Sequence, residues 1–244
     1  MVRKVQPTDL SSTWKHTLEQ DGWYRAHDAL RADFAALQQM LGCFAAQLGE
    51  GRPLTRPQAT AAGRFFAAFL KFLHHHHHNE DDIAVPYLKT RCQMPEKIAA
   101  DHAQLDALLD RMEQQMGRLL SPAAVTCIQQ RPLLEAVADT FAELHPMCLR
   151  HFAEEEAEAM PLMRRHFTPE EISKHVVAKI ARSMDSTSVG VMLRPMTRKQ
   201  RVAFAKQEQI PFFIRWLFLR MAAKHERTVW RPFERECLRA SASA

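Results

Sequence analysis

Four long stretches of the chain repeat apolar residues in steps of three and four, the spacing that lines one face of an α-helix. The first, from about Trp23 to Leu48, carries Trp23, His27, Leu30, Phe34, Leu37 and Leu41 on its stripe. The second begins near Gln58 and continues through Phe65, Phe69, Leu73, His76, Glu80, Ile83 and Tyr87, with Pro86 expected to kink it rather than stop it. Pro95 suits the start of a third, with Ile98, His102, Leu105, Leu109, Met112, Met116 and Leu119 inward. Pro132 precedes a fourth, with Leu144, Cys148, His151, Glu155, Ala159 and Leu162 inward. Glycines at 49 and 51 with Pro53 and Pro57 mark one loop, and Ser121-Pro122 another. Short connections between long amphipathic helices predict an antiparallel four-helix bundle.

The flanking segments are weaker in pattern. Residues 8–20 predict a short helix capped by Thr8 or Asp9, ended by Asp21-Gly22. Phe167-Thr168-Pro169-Glu170-Glu171 is an N-terminal helix signal, the helix running to about Ser183, and Asp185 to Pro195 reads as a turn region. The apolar run Ile210 to Arg220 is too short and too charged, at Arg215 and Arg220, to span a membrane. It is expected to pack on the bundle as part of additional C-terminal helices, with a protein-binding surface as the alternative. The chain thus divides into an N-terminal extension (1–20), a bundle (21–165) and a helical C-terminal extension (166–244).

Composition sharpens this to an all-α protein: 244 residues with only seven glycines, 46% apolar, and rich in Ala, Leu, Glu, Gln and Arg. A chain of this length buries a core without staples, so stability alone does not call for a metal. The five cysteines are odd in number and show no C-x-x-C spacing, and Met1-Val2-Arg3-Lys4-Val5 leads into polar sequence. The expected setting is reducing and intracellular, cytoplasmic or nuclear, with an organelle left open. Residues 166–244 hold 15 Lys and Arg against 7 Asp and Glu, a charge of +8 that leaves −3 for residues 1–165. These basic residues are scattered rather than in a block, which reads as a solvated helix face and argues against nucleic acid.

The chemistry lies where the apolar stripes are interrupted. His27 and His102 stand singly, whereas His76 with Glu80 and His151 with Glu155 are pairs four residues apart, on one side of a helix turn. A lone buried histidine needs one hydrogen-bond partner and is ordinary. All of these together with two carboxylates in a shared helical interior leave charge that a cation must balance, at several kcal/mol per ion otherwise. Imidazole and carboxylate without thiolate suit iron, manganese or zinc, and two carboxylates can each bridge two ions. The other members of the run His74 to His78 are expected on the solvent side or behind the ligands, since one helix face enters a core. His145 is out of helical phase with His151, and Cys148 reads as core.

His27, His76-x-x-x-Glu80, His102 and His151-x-x-x-Glu155, with Pro86 and Pro161 after the pairs, resemble the hemerythrin-like HHE cation-binding family over residues 20–165. The resemblance implies an oxo- or hydroxo-bridged non-haem di-iron centre, with His27, His76, His102 and His151 as terminal ligands and Glu80 and Glu155 as bridges. Oxygen-carrying members use a fifth histidine, which here is His77, His75 or none; an open position suits O2 sensing or reaction over stable carriage. Residues 160–235 are similar to the segment after the bundle in BRUTUS-type plant iron-regulating ubiquitin ligases, without the Cys and His pattern of the ligase part. The functional expectation is an iron- or oxygen-sensing or binding module that takes iron and O2 or a small oxidant. The alternatives are a di-iron enzyme that reduces O2 or peroxide or oxidises Fe(II), and a structural bundle with the site empty or zinc-filled.

Overall fold

The computed structural model describes residues 9–238 except 125, 209 and 211, and among these it contains helices and turns but no strand. Thr8, one of the two expected cap residues, lies outside the described residues. Helix α1 spans Gly22–Gly49 behind Asp21, whose carboxylate accepts from the Trp23 N–H. Gly51 takes the positive φ of 76° that turns the chain toward α2. Helix α2 spans Arg56–Asn79 behind a Thr55–Gln58 capping box, with Pro57 in its first turn. Helices α3 (Glu96–Leu119) and α4 (Cys127–Glu154) complete the bundle. Helix α4 starts earlier than Pro132 suggests, because Thr126 caps it by accepting from the Gln129 N–H.

Side-chain pairs set the directions. Phe34 meets Phe69, and Gln47 meets Gln58, so α1 and α2 run antiparallel. His27 lies by Glu155 while Phe34 lies by Phe141, which runs α4 against α1. Lys97 pairs with Glu154 and Arg111 with Glu143, which does the same for α3 and α4. A buried amide network clamps the far end: Gln47 and Gln58 bond each other, and the Leu54 N–H donates to Gln130 at 2.7 Å.

Helices α2 and α4 change gauge at matching places. After α2 comes a π-turn, Glu80–Ala84, and then Val85–Leu88; after α4 comes a π-turn, Glu155–Ala159, and then Met160–His166. Each π-turn precedes a proline, Pro86 or Pro161, whose ring would clash with the carbonyl four residues back in a regular helix. The wider turn relieves that clash and inserts one residue. The inward stripe therefore advances by one: Ala84 and Leu88 are buried in place of the expected Ile83 and Tyr87, and Met163 in place of Leu162.

Helix α5 starts as Pro169–Ile172 on a Thr168–Glu171 capping box and continues through a π-turn, Ser173–Val177, to Ala178–Ser183. The expected turn at Asp185 to Pro195 is instead helix α6, Ser186–Leu193, capped by Asp185 and buried from Ser188 to Leu193. Its β-branched, glycine-containing sequence is a poor helix by propensity, and burial against α1, α2 and α8 makes it one. Helix α7 spans Arg198–Gln207 and α8 spans Phe212–His225, which continues through further turns to Leu238. The expected helix over 8–20 is two short 3-10 turns, Ser11–Thr13 and Leu18–Gln20. There the backbone carbonyls of His16 and Thr17 accept from Arg164 instead of from a helix.

The C-terminal helices belong to the same core as the bundle. Phe233 stacks on Phe65 with ring centroids 3.9 Å apart, and Val189, Val191 and Cys237 join the main apolar cluster. Helix α8 packs on α6 but leaves Trp216, Leu217 and Leu219 exposed. A second cluster, around Leu88, Met163, Phe167 and Ile172, closes the bundle end beyond the π-turns. No helix among the described residues is long and apolar enough to cross a membrane.

Candidate metal centre

The six residues that interrupt the stripes meet at one level of the bundle, and all are buried. Helix α1 supplies His27, α2 supplies His76 and leads into Glu80, α3 supplies His102, and α4 supplies His151 and leads into Glu155. Both glutamates are the first residue of a π-turn, where the widening backbone carries a carboxylate to the bundle axis.

Each glutamate faces both sides of the cluster. Glu80 Oε1 lies 3.1 Å from His76 Nε2, and its Oε2 lies 3.4 Å from His102 Nε2. Glu155 Oε2 lies 3.1 Å from His27 Nε2, and its Oε1 lies 3.5 Å from His151 Nε2. His102 Nε2 and His151 Nε2 are 3.0 Å apart. Two ligand atoms on one ion, each bonded at about 2.1 Å and at right angles, stand about 3 Å apart. The cluster therefore divides into two ligand sets that share both carboxylates: His27 and His76 on one side, His102 and His151 on the other.

His77 joins the second set. It is buried, it stacks on His102 with centroids 4.6 Å apart, and a ring nitrogen lies within 4.8 Å of those of His102 and His151. The expectation that only His76 of the run turns inward is thus corrected: the helix presents an edge to the axis, and adjacent residues enter from either side of it. His74, His75 and His78 point outward, to Asp106, Ser183 and Asp82 respectively. His145 stacks on Phe34. Cys148 is fully buried, its thiol pKa pushed up by burial, and it acts as core.

A layer of carboxylates stands behind the imidazoles. His27 Nδ1 is 2.7 Å from Glu156, which also accepts from Arg31, and His102 Nδ1 is 2.9 Å from Asp81. His151 Nδ1 is 3.8 Å from Asp101, and His77 Nδ1 is 4.0 Å from Asp106. Of these, Glu156 and Asp81 stand at hydrogen-bond distance and can orient a ring so that its other nitrogen faces the cluster. Trp23 Nε1–H donates to Glu80 Oε1 at 2.6 Å, and Phe152 stacks on His27 with centroids 4.6 Å apart. Sequence spacing alone hides these residues, although Asp81 and Glu156 each directly follow one of the two clustered glutamates.

The buried polar atoms fit cations. His27 Nε2, His76 Nε2, both His77 nitrogens, Glu80 Oε2 and both Glu155 oxygens have no hydrogen-bond partner among the described residues. Groups so buried normally have one. Burial lowers the affinity of His27 for a proton, but Glu155 and Glu156 outweigh it and bring its pKa to about 9. Burial likewise works against His102, and Glu80 and Asp81 raise it to about 9. Burial and neighbouring imidazoles hold His76 and His151 neutral, and burial with Glu80 lifts Glu155 to about 7. Protons thus balance the carboxylates where cations would, and metal uptake would displace them.

The description Hemerythrin HHE cation binding domain is that of the family model that matches the chain, over residues 19–162. No curated protein and no solved structure matches the chain.

Proposed function

Since the chain belongs to the hemerythrin HHE cation-binding family, we propose that its cluster holds two iron ions and that the protein is an iron- and oxygen-binding module with a sensing role. In this reading His27 and His76 ligate one ion, His77, His102 and His151 the other, and Glu80 and Glu155 bridge them. The observation that carries it is the pair of carboxylates, each with one oxygen turned to either histidine set. With one histidine fewer, the His27 and His76 side would be the one to admit O2 or a small oxidant. His77 fills the place left open by the sequence, so stable O2 carriage and sensing are both compatible with the ligand count. A bound iron pair supplies reversible one-electron changes at each ion.

The residues around the ions have defined tasks. Glu156 and Asp81 hold the His27 and His102 imidazoles in register, and Trp23 keeps Glu80 from rotating away by donating to Oε1. Phe152 packs over the His27 ring, and the second apolar cluster closes the bundle end beyond the π-turns. Because ligands come from four helices, metal affinity adds to the stability of the assembled bundle, which is the physical basis for sensing. Anaerobic Fe(II) titration with metal counting, then exposure to O2 under visible absorption, tests the reading. Two irons per chain with an O2-dependent ligand-to-metal band is the expected result; one iron or fewer sinks the dinuclear assignment.

A second reading, a di-iron enzyme acting on O2, peroxide or Fe(II), is favoured by one observation: a large cavity reaches His76 and Glu80. Multiple turnovers of peroxide or Fe(II) above the rate of free iron would select it. A single stoichiometric oxidation selects the module.

A further inference from the structure

Beside the proposed metal cluster, and bordered by His76 and Glu80, the fold forms a partly open cavity of ≈ 630 Å³. Its size and apolar lining are those of small-molecule sites. One wall is the bundle, where Trp23, Ala26, His76 and Glu80 face it. The opposite walls are Val176 and Ile180 of α5, Met192 of α6, Phe204 of α7 and Ile214 and Phe218 of α8. Those helices all follow residue 162, where the family match stops. The chain has therefore built this space by adding helices to the bundle, and the cation-binding site does not require it.

The lining defines the occupant. Acidic groups are present at Asp21, Glu80 and Glu208. Asp21 is engaged by Arg164 and His16, and Glu80 accepts from Trp23. Glu208 accepts from the Gln207 side chain, and burial, with Asp21 adding, raises its pKa to about 7. Arg182 lines the space from its exposed rim. A carboxylate or phosphate head placed among these acids would be repelled, and an ammonium head would give up its hydration to carboxylates already engaged, Asp21 by Arg164 and Glu80 by Trp23, whereas a hydroxyl or carbonyl finds Glu208 as a partner.

We infer that this cavity is a binding site for an uncharged, largely apolar small molecule bearing one hydrogen-bonding group, held with one flank against His76 and Glu80. The inference goes beyond the metal reading and stands whatever ion the cluster holds.

The test uses the full chain, iron-loaded and metal-free, titrated calorimetrically with 1-decanol, decanoate and decylamine. Saturable one-to-one binding of 1-decanol in the micromolar range is expected, at least tenfold tighter than either charged analogue. Ile180→Trp and Ile214→Trp, which fill the space from two different helices, should each weaken it at least tenfold with iron content unchanged. Ile128→Trp, on an exposed residue away from the cavity, should leave it intact. Methionine-methyl NMR of the unmodified chain gives an answer that needs no variant: 1-decanol should shift Met192 and Met163, which line the cavity, and leave Met112 and Met116 in place. Absence of saturable 1-decanol binding, equal or tighter binding of decanoate or decylamine, or unmoved Met192 and Met163 signals overturns the assignment. A chain that binds 1-decanol but no iron sinks the metal reading alone, and one that binds iron but no 1-decanol sinks this one alone.

Discussion

Glu80 and Glu155 differ from the surface acids of the chain in having their carboxylates buried among imidazoles. Removing the charge of either one should affect metal binding and metal-free stability in opposite senses. Glu155→Gln is expected to lower the iron count from two per chain to one or less, while the metal-free melting temperature is unchanged or higher, because a buried carboxylate no longer needs compensation. Metal analysis and calorimetry on the same sample check both halves. His77→Ala should weaken one of the two ions and spare the other, and Glu156→Ala should cost roughly 10- to 100-fold in affinity without removing a ligand.

A histidine outside the cluster contributes its own pH dependence. His225 is buried with neither ring nitrogen bonded among the described residues, and burial, with Arg194 adding, lowers its pKa to about 4. The unfolded chain takes up this proton near pH 6.5 and the folded chain only near 4, so stability is lost as pH falls through that window, on the order of 2–3 kcal/mol at most. The neighbouring Asp33, which pairs with Arg194, acts in the other direction: burial raises it to about 6, so the folded chain takes its proton first as pH falls. His225→Leu should therefore retain more of its pH 7 stability at pH 5 than the parent does, as read by urea unfolding. An identical loss in both proteins would show that other groups dominate.

At the scale of elements, helix α6 is the piece with least local support and most tertiary constraint. A Cβ added at Gly190 would come 2.3 Å from His225 Cβ, so α6 and α8 touch only because this position has no side chain. Gly190→Ala is expected to destabilise by about 1–3 kcal/mol despite its gain in helix propensity, measurable as a lower urea midpoint. The π-turns follow the same logic in reverse. Pro86 and Pro161 are visible in the sequence, as is the His-x-x-x-Glu pair before each, but a strict α-helical period assigns Ile83, Tyr87 and Leu162 inward. The extra residue in each turn shifts the phase and buries Ala84, Leu88 and Met163 instead.

For the molecule as a whole, ligands from four helices couple metal occupancy to folding. Saturation at about a thousand times Kd stabilises by about 4 kcal/mol, roughly 10 °C in melting temperature for a chain of this size, and a chelator should reverse it. No shift on iron loading would remove the basis for sensing. The C-terminal helices are part of the same core, through Val189, Phe233 and Cys237. Ending the chain at Ser183 should therefore expose the α1–α2 face and produce a dye-binding, poorly cooperative bundle.

The periodicity of apolar residues, broken by His27, His76, Glu80, His102, His151 and Glu155, was enough to define four helices and the side on which these six residues gather. It sufficed because helix geometry is local: residues three and four apart share a face whatever surrounds them. The inward turn of His77, the carboxylates behind each imidazole, the burial of α6 and the cavity beneath the C-terminal helices depend on how helices rotate and approach one another. Those choices are made by contacts between residues distant in sequence, such as Gly190 with His225 and Trp23 with Glu80, which no local period encodes.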